Sequence, residues 1–292
     1  MLTLPDLIHS DLQEQADSKL FRAPLDAFRF RPSVTVIVPT LNEARNLPHV
    51  LPLIPAWVDE VILVDGLSKD DTVSVARALM PGIRVVLQPG RGKGNALRAG
   101  FANATSDIIV MIDADGSTDP REIGAFIRQL RAGAEFVKGS RYMQGAGSND
   151  ISHLRNFGNS GITWAVRLLF GGRYTDLCYG YAAFWRALVP MLNLDSDGFE
   201  IETLLGIRAL QAKLRIFEVH SMEHPRLYGE SNLQELRDGW RILKVILRER
   251  FSRRRINTSD LEGVRMNLKR FWNDQLTAQP AYQSPGHPAD RR

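Results

Sequence analysis

Ile108-Ile109-Val110-Met111-Ile112-Asp113-Ala114-Asp115-Gly116-Ser117 is the stretch around which the chain is arranged. Its first five residues are apolar, mostly β-branched, and stop abruptly at polar ones. That pattern reads as a short buried strand. Asp113 and Asp115 follow, one residue apart. At the carboxyl end of a parallel strand, such a turn faces the crevice where open α/β sheets bind ligands. Two carboxylates that close repel each other unless a cation sits between them. Mg²⁺ and Mn²⁺ are hard ions that accept a few carboxylates together with diphosphate oxygens. The stretch is therefore a candidate metal–diphosphate site; a solvated acidic turn is the alternative.

Upstream, strands and helices alternate. Val34–Val38 reads as a strand stopped by Pro39, with Thr40-Leu41-Asn42-Glu43 as the turn after it. Leu47, Val50, Leu51 and Ile54 fall at i, i+3, i+4 and i+7, predicting an amphipathic helix with Pro48 and Pro52 near its ends. Glu60–Val64 is a second strand ending at Asp65-Gly66. Ser68-x-x-Asp71 resembles a capping box before a helix through Val75, Ala76 and Leu79. Ile83–Leu87 is a third strand. The loop after it, Pro89-Gly90-Arg91-Gly92-Lys93-Gly94-Asn95, matches neither a Walker A loop nor a dinucleotide fingerprint. It is a glycine-rich helix entrance carrying two cations, a setting that favours phosphate; a flexible solvated loop is the alternative.

Downstream, Asp119-Pro120-Arg121-Glu122 supplies a cap, a first-position proline and an acid, starting a helix that buries Ile123, Phe126, Ile127 and Leu130. Phe136–Gly139 is the next strand. This alternation predicts an α/β fold with a parallel, helix-covered sheet.

Composition adds limits. The 292 residues are 44% hydrophobic and 24% charged, ordinary for a globular protein. The net charge is +4, with much of the excess in Arg241–Arg255. One cysteine, Cys178, excludes an internal disulfide and fits a reducing cytosol. No basic-then-apolar leader and no apolar run of about 18 residues is visible, so the expectation is a cytoplasmic protein, either soluble or peripheral at the inner face of the cell membrane.

Five short motifs follow in order: Val36-Ile37-Val38-Pro39-Thr40-Leu41-Asn42-Glu43, Val64-Asp65-Gly66, Gly92-Lys93-Gly94-Asn95-Ala96, Asp113-Ala114-Asp115 and Gly139-Ser140-Arg141-Tyr142. Together they resemble the family 2 inverting glycosyltransferases, over roughly Pro32 to Arg250. Within that family the resemblance is to the dolichol-phosphate mannosyltransferase and polyprenyl-phosphate glycosyltransferase branch. It implies a GT-A fold, a Rossmann-like mostly parallel sheet flanked by helices, with a C-terminal amphipathic helix. It implies donor binding by Pro39, Thr40, Asn42, Glu43, Asp65, Lys93, Asp113, Ala114 and Asp115. It implies Mg²⁺ or Mn²⁺ held by Asp113 and Asp115, with Ser117 where relatives place a further polar ligand. Arg141, Arg155, Arg226 and Ser231 are the expected phosphate and acceptor contacts. Gly66 stands where the usual second acid would follow Asp65, and Asn232 where relatives often carry Lys.

The chemistry separates two kinds of acceptor. A lipid phosphate is already anionic and needs no general base, whereas a hydroxyl needs a carboxylate to take its proton. Asp176, Glu200 and Glu202 are the candidate bases. Glu200 and Glu202 lie two apart on a predicted helix and so point to different faces. Asn156, Gly158 and Asn159 mark either an acceptor-side wall or a packing seam. Trp164, Tyr179, Tyr181 and Trp185 mark either a sugar platform or core.

Leu233, Leu236, Trp240, Leu243, Leu247 and Phe251 repeat at helical spacing, with Arg237, Arg241, Lys244, Arg248 and Arg250 on other faces and Arg253-Arg254-Arg255 beyond. A basic amphipathic helix either lies on an anionic membrane surface, packs on the catalytic domain, or makes a dimer contact. The expected organisation is an extension over residues 1–31, with Leu4, Leu7, Ile8 and Leu12 at helical spacing. A catalytic domain over 32–232, a helical region over 233–272 and a mobile tail over 273–292 follow. The functional expectation is metal-dependent transfer of a hexose from a UDP- or GDP-sugar to a polyprenyl phosphate. The alternatives are a soluble metabolite or glycan hydroxyl as acceptor, or a nucleotide-sugar-binding protein without transfer. Nucleic-acid binding is not expected, because the basic helix lacks interleaved aromatics and a recognised module.

Overall fold

The structure, a computed structural model, describes residues 31–148, 153–252 and 261–269. The extension before residue 31, Arg253-Arg254-Arg255 and the tail lie outside the described residues. In chain order the elements are β1 (Val34–Thr40), β2 (Glu60–Asp65), α1 (Thr72–Leu79), β3 (Arg84–Leu87), α2 (Lys93–Asn103), β4 (Ile108–Met111) and α3 (Ile123–Arg131). Then come β5 (Phe136–Ser140), β6 (Gly147–Ser148), α4 (His153–Phe170), β7 (Ala182–Trp185), α5 (Val189–Leu192), α6 (Ile201–Gln211), β8 (Ile216–His220), β9 (Met222–Glu223) and α7 (Glu235–Phe251).

Seven strands form one sheet in the order β3-β2-β1-β4-β7-β5-β8. All neighbours are parallel except β7, which runs antiparallel between β4 and β5. β1, β2 and β4 are nearly continuous apolar runs because both faces of the sheet are covered; Ile37, Ile62, Leu63 and Val110 have no exposed surface. α2 packs on β1 and β2, and α3 on β5 and β7.

The strand order decides where the site lies. The chain leaves β1 toward β2 and β3, then returns to lay β4 on the other side of β1. This reversal opens a crevice between the carboxyl ends of β1 and β4, the topological switch point where ligands bind. Ile37 pairs with Met111, and the amide of Ile112 donates to the Ile37 carbonyl at 3.2 Å. Pro39–Glu43 and Asp113–Ser117 therefore leave the sheet side by side.

Three local expectations are corrected. The segment around Leu47–Ile54 is two 3-10 turns, Leu47–His49 and Leu51–Leu53, not an α-helix. Pro48 and Pro52 remove the amides an α-helix would need there. β1 does not stop at Pro39: that residue pairs with Val64, and the strand runs on to Thr40. Ser68 makes no capping box; its hydroxyl instead accepts from the Asn42 amide at 2.9 Å, and Asp71 caps α1 without a side-chain bond. The Asp119 cap is as expected, accepting from the Arg121 amide. α7 packs on α4 and α6. A further helix spans residues 261–269.

Candidate active site

The switch-point crevice widens into a cleft of about 830 Å³. Pro39, Thr40 and Glu43 line one side and Asp113, Ala114, Asp115 and Ser117 the floor. Lys93, Arg141, Arg155, Arg226 and Ser231 also reach it. Residues from six separate segments thus meet in one cavity.

Lys93 opens α2, and its ammonium is shared by two carboxylates, Asp113 Oδ1 at 2.5 Å and Glu202 Oε1 at 2.6 Å. Burial alone would lower the lysine pKa, but the two acids outweigh it and hold the charge firmly on the ammonium. Burial also pushes the Asp113 carboxyl up to about 6, with the nearby charges of Asp115 and Glu202 adding to the rise against Lys93. The three side chains converge over Gly180. A Cβ there would lie 2.7 Å from Asp113 Oδ2 and 2.9 Å from both Lys93 Nζ and Glu202 Oε1.

The glycine-rich loop has a packing role. A Cβ on Gly94 would come 2.4 Å from the carbonyl oxygen of Ser196. Gln88 donates from Nε2 to the carbonyls of Gly90, at 3.0 Å, and Gly92, at 3.3 Å. The glycines let the loop before α2 close on residues 196–198, which places Lys93.

Asp115 is fully engaged. Its Oδ1 accepts from the Ser117 amide at 3.0 Å and hydroxyl at 2.6 Å, and its Oδ2 pairs with Arg226 Nη1 at 3.1 Å. Ser117 therefore orients Asp115. Arg226 Nη2 pairs with Glu43 Oε1 at 2.5 Å, and its Nε donates to the Tyr228 carbonyl at 2.8 Å. Asn46 holds this strap by accepting from the Tyr228 amide at 3.0 Å and donating to its carbonyl at 3.1 Å. Burial raises the Glu43 carboxyl pKa, although its bonds to Asn46 and Arg226 pull the other way.

Four expected site residues stand elsewhere. The Asp65 carboxylate is buried and accepts from the amides of Leu67, at 3.1 Å, and Ser68, at 3.2 Å; it shapes the loop beneath the cleft. Asn42 ties loops together, its Oδ1 accepting from the Lys69 amide at 2.7 Å. Asp176 is not a candidate base. It has no exposed surface and forms a two-point pair with Arg141, at 2.6 and 2.9 Å, while Asn159 donates to it at 3.0 Å. Glu200 does not line the cleft and accepts from the Gly198 amide at 3.1 Å, whereas Glu202 lines it. Tyr181 and Trp185 are core, Tyr179 borders the cleft, and Trp164 points outward. Gly158 and Asn159 line the cleft, and Asn156 accepts from the Tyr142 hydroxyl at 2.5 Å.

Sequence reasoning missed Asn46, Gln88 and Glu223. Glu223 sits on β9 and pairs with Arg141 Nη1 at 3.0 Å. A buried arginine already matched by one acid is the signal for a second, but 82 positions separate the pair. Among the described residues no three His, Cys, Asp or Glu side chains gather to hold a metal ion. The protein donors at the turn are the two carboxylates, the small donor set of an Mg²⁺ site completed by substrate phosphates and water. Burial first, and then the nearby charges of Asp115 and Glu202, disfavour the ionised Asp113; a cation there offsets both, so the residues fit such an ion.

A mostly parallel, helix-flanked sheet with an Asp-x-Asp turn in its switch-point crevice defines the α/β glycosyltransferases of GT-A architecture. Residues 35–189 match the Glycosyl transferase family 2 model, and the chain belongs to that family. It is 33% identical to an uncharacterized glycosyltransferase of Mycobacterium tuberculosis over 202 residues, 69% of this chain and 89% of the relative. It is 30% identical to glycosyltransferase AglJ of Haloferax volcanii over 213 residues, 71% and 68% of the two chains. Among solved structures it is similar to glucosyl-3-phosphoglycerate synthase from Mycobacterium tuberculosis in complex with Mn²⁺, UDP-glucose and phosphoglyceric acid. That similarity has a TM-score of 0.59 and 25% identity, covering 75% of this chain and 80% of the other.

Proposed function

We propose that this chain transfers a hexose, with inversion, from a nucleoside-diphosphate sugar of the UDP-glucose or GDP-mannose type to a polyprenyl phosphate, using Mg²⁺ or Mn²⁺. The observation that carries the reaction class is the Asp113–Asp115 turn facing the cleft beside Lys93 and Arg226. Asp113 and Asp115 would hold the divalent ion, oriented by Ser117. When bound, the ion supplies Lewis-acid stabilisation to the diphosphate as it leaves. Arg226 adds a cation that can turn from carboxylates to the donor's diphosphate.

The acceptor reading rests on the state of the acids. Lys93 is paired with Asp113 and Glu202, Arg226 with Asp115 and Glu43, Arg141 with Glu223, and Arg241 with Asp238 at 3.4 Å. A hydroxyl acceptor needs a free carboxylate to take its proton; a phosphate monoester arrives ionised. In the transfer, an acceptor phosphate oxygen bonds to the anomeric carbon. The bond from that carbon to the donor diphosphate breaks, and its electron pair leaves with the diphosphate. A lipid-linked acceptor also means catalysis at a membrane surface.

A second reading, a soluble phosphorylated acceptor, is favoured by the similarity to a synthase bound to phosphoglyceric acid. The test is incubation with labelled UDP-glucose or GDP-mannose and Mn²⁺, offering polyprenyl phosphate or phosphoglyceric acid. Label in the organic phase supports the first reading and label on phosphoglyceric acid the second. Nucleotide binding with transfer to neither points to a binding protein.

A further inference from the structure

The apolar stripe of α7 faces outward. Asp238, Ile242, Val245, Ile246 and Glu249 are its buried residues, whereas Leu236, Trp240, Leu243, Leu247 and Phe251 are exposed. α4, packed beside it, shows the same inversion, with Phe157, Trp164 and Leu168 exposed. Leu236 and Phe157 retain 85% and 80% of their surface, values far from those of a packed helix. Exposed apolar side chains scattered singly are ordinary; two neighbouring helices that both turn their large ones outward mark a docking surface.

The charges say what it docks on. α4 contains no acid and carries Arg155 and Arg167. On α7, Asp238 and Glu249 are turned inward, Glu249 onto Arg208 at 2.9 Å, while Arg237, Lys244, Arg248 and Arg250 remain exposed. Lys244 lies 5.7 Å from the Trp240 ring, the aromatic–cation pairing suited to a headgroup layer. Four exposed bases against one exposed acid, Glu235, beside an apolar stripe complement an anionic bilayer. A symmetric dimer through this face would bring basic rim against basic rim. Among the described residues no helix is long and apolar enough to cross a membrane, so the contact is in-plane. Gly158 and Ile162 of α4 and Gly239 and Ile242 of α7 also wall the cleft.

We propose that the outward faces of α4 and α7 form one surface that docks on an anionic phospholipid bilayer, with the cleft they wall beside the membrane. This deepens the lipid-linked acceptor reading and rests on it. The test is sedimentation of the full chain with vesicles of phosphatidylcholine alone or mixed with phosphatidylglycerol, both free of polyprenyl phosphate. Binding to the mixed vesicles, weakened by salt, is expected. The double variant Leu168→Glu, Leu247→Glu, at exposed positions outside the cleft, should lose roughly tenfold or more of that binding while retaining UDP binding. Failure of the parent chain to bind anionic vesicles, or unchanged binding by the variant, overturns the proposal. So does self-association abolished by the same substitutions without vesicle binding, which assigns the face to a second copy. Vesicle binding by a chain that transfers sugar only to a soluble acceptor would leave this surface standing and remove the acceptor reading.

Discussion

Arg226 and Asp115 form an ion pair at 3.1 Å, 111 positions apart, across the floor of the cleft. That guanidinium competes with a metal ion for Asp115 Oδ2. The donor's diphosphate offers Arg226 another anion, so metal and nucleotide binding are coupled. Mn²⁺ alone should bind weakly, and UDP should tighten it by about tenfold or more. Arg226→Ala should tighten Mn²⁺ binding in the absence of nucleotide and weaken UDP binding in its presence. Calorimetry in all four combinations checks this; additive, independent binding would refute it.

Asp115→Ala removes the carboxylate of the turn that Ser117 orients and Arg226 faces. Metal-dependent UDP binding should disappear and turnover should fall by roughly a thousandfold, the scale of losing a main charge-stabilising group. A near-parental melting temperature alongside that loss separates a site effect from unfolding. Retained metal-dependent binding would disprove the assignment.

Asp176→Ala tests a structural assignment. The Arg141–Asp176 pair has side-chain exposures of 4% and 0%. Removing the acid leaves a buried guanidinium with only Glu223 opposite it, and breaking such pairs costs about 3–5 kcal/mol. Denaturant unfolding should register that loss. Full stability with abolished turnover would instead make Asp176 a participant in the chemistry.

Cys178 provides a pH prediction. Burial, with the charges of Asp176 and Glu202 adding to it, pushes its thiol up to about 12 from an ordinary 9.0. A raised acid pKa means that the folded chain keeps its proton where the unfolded chain loses it. The thiol therefore leaves stability unaffected below pH 9 and lowers it as pH rises from about 9 toward 12. Iodoacetamide at pH about 8 should label the native protein far more slowly than the unfolded one. Equal rates would contradict the assignment.

Gly180→Ala probes the Lys93 cluster. The added methyl must displace Asp113, Lys93 or Glu202. Turnover and Mn²⁺-dependent UDP binding should fall together, by roughly ten- to a hundredfold, as for a misplaced catalytic group. Unchanged kinetics would show that the cluster can shift without consequence.

Much was legible in the chain because it is local. A β-branched run that stops at Asp113 needs only its own residues to announce a strand end, and Asp119-Pro120 caps a helix by its own geometry. The order of β1, β2 and the Asp-x-Asp strand carried the family. Local pattern misled where backbone chemistry overrode periodicity, as at Pro48 and Pro52, and where Ser68 found a partner outside its own turn.

By itself, then, the sequence determined the alternation of strands and helices and the acidic turn, because both are written within a few consecutive residues. Only the tertiary structure decided which charges meet: Lys93 with Glu202, Arg141 with Asp176 and Glu223, Arg226 with Asp115. Those pairings turned Asp176 from a candidate base into a buried support. They depend on strand order, which closes separations of dozens of residues. The outward face of α7 was equally hidden, since helical spacing shows that a stripe exists but only the neighbours of a helix determine which side they cover.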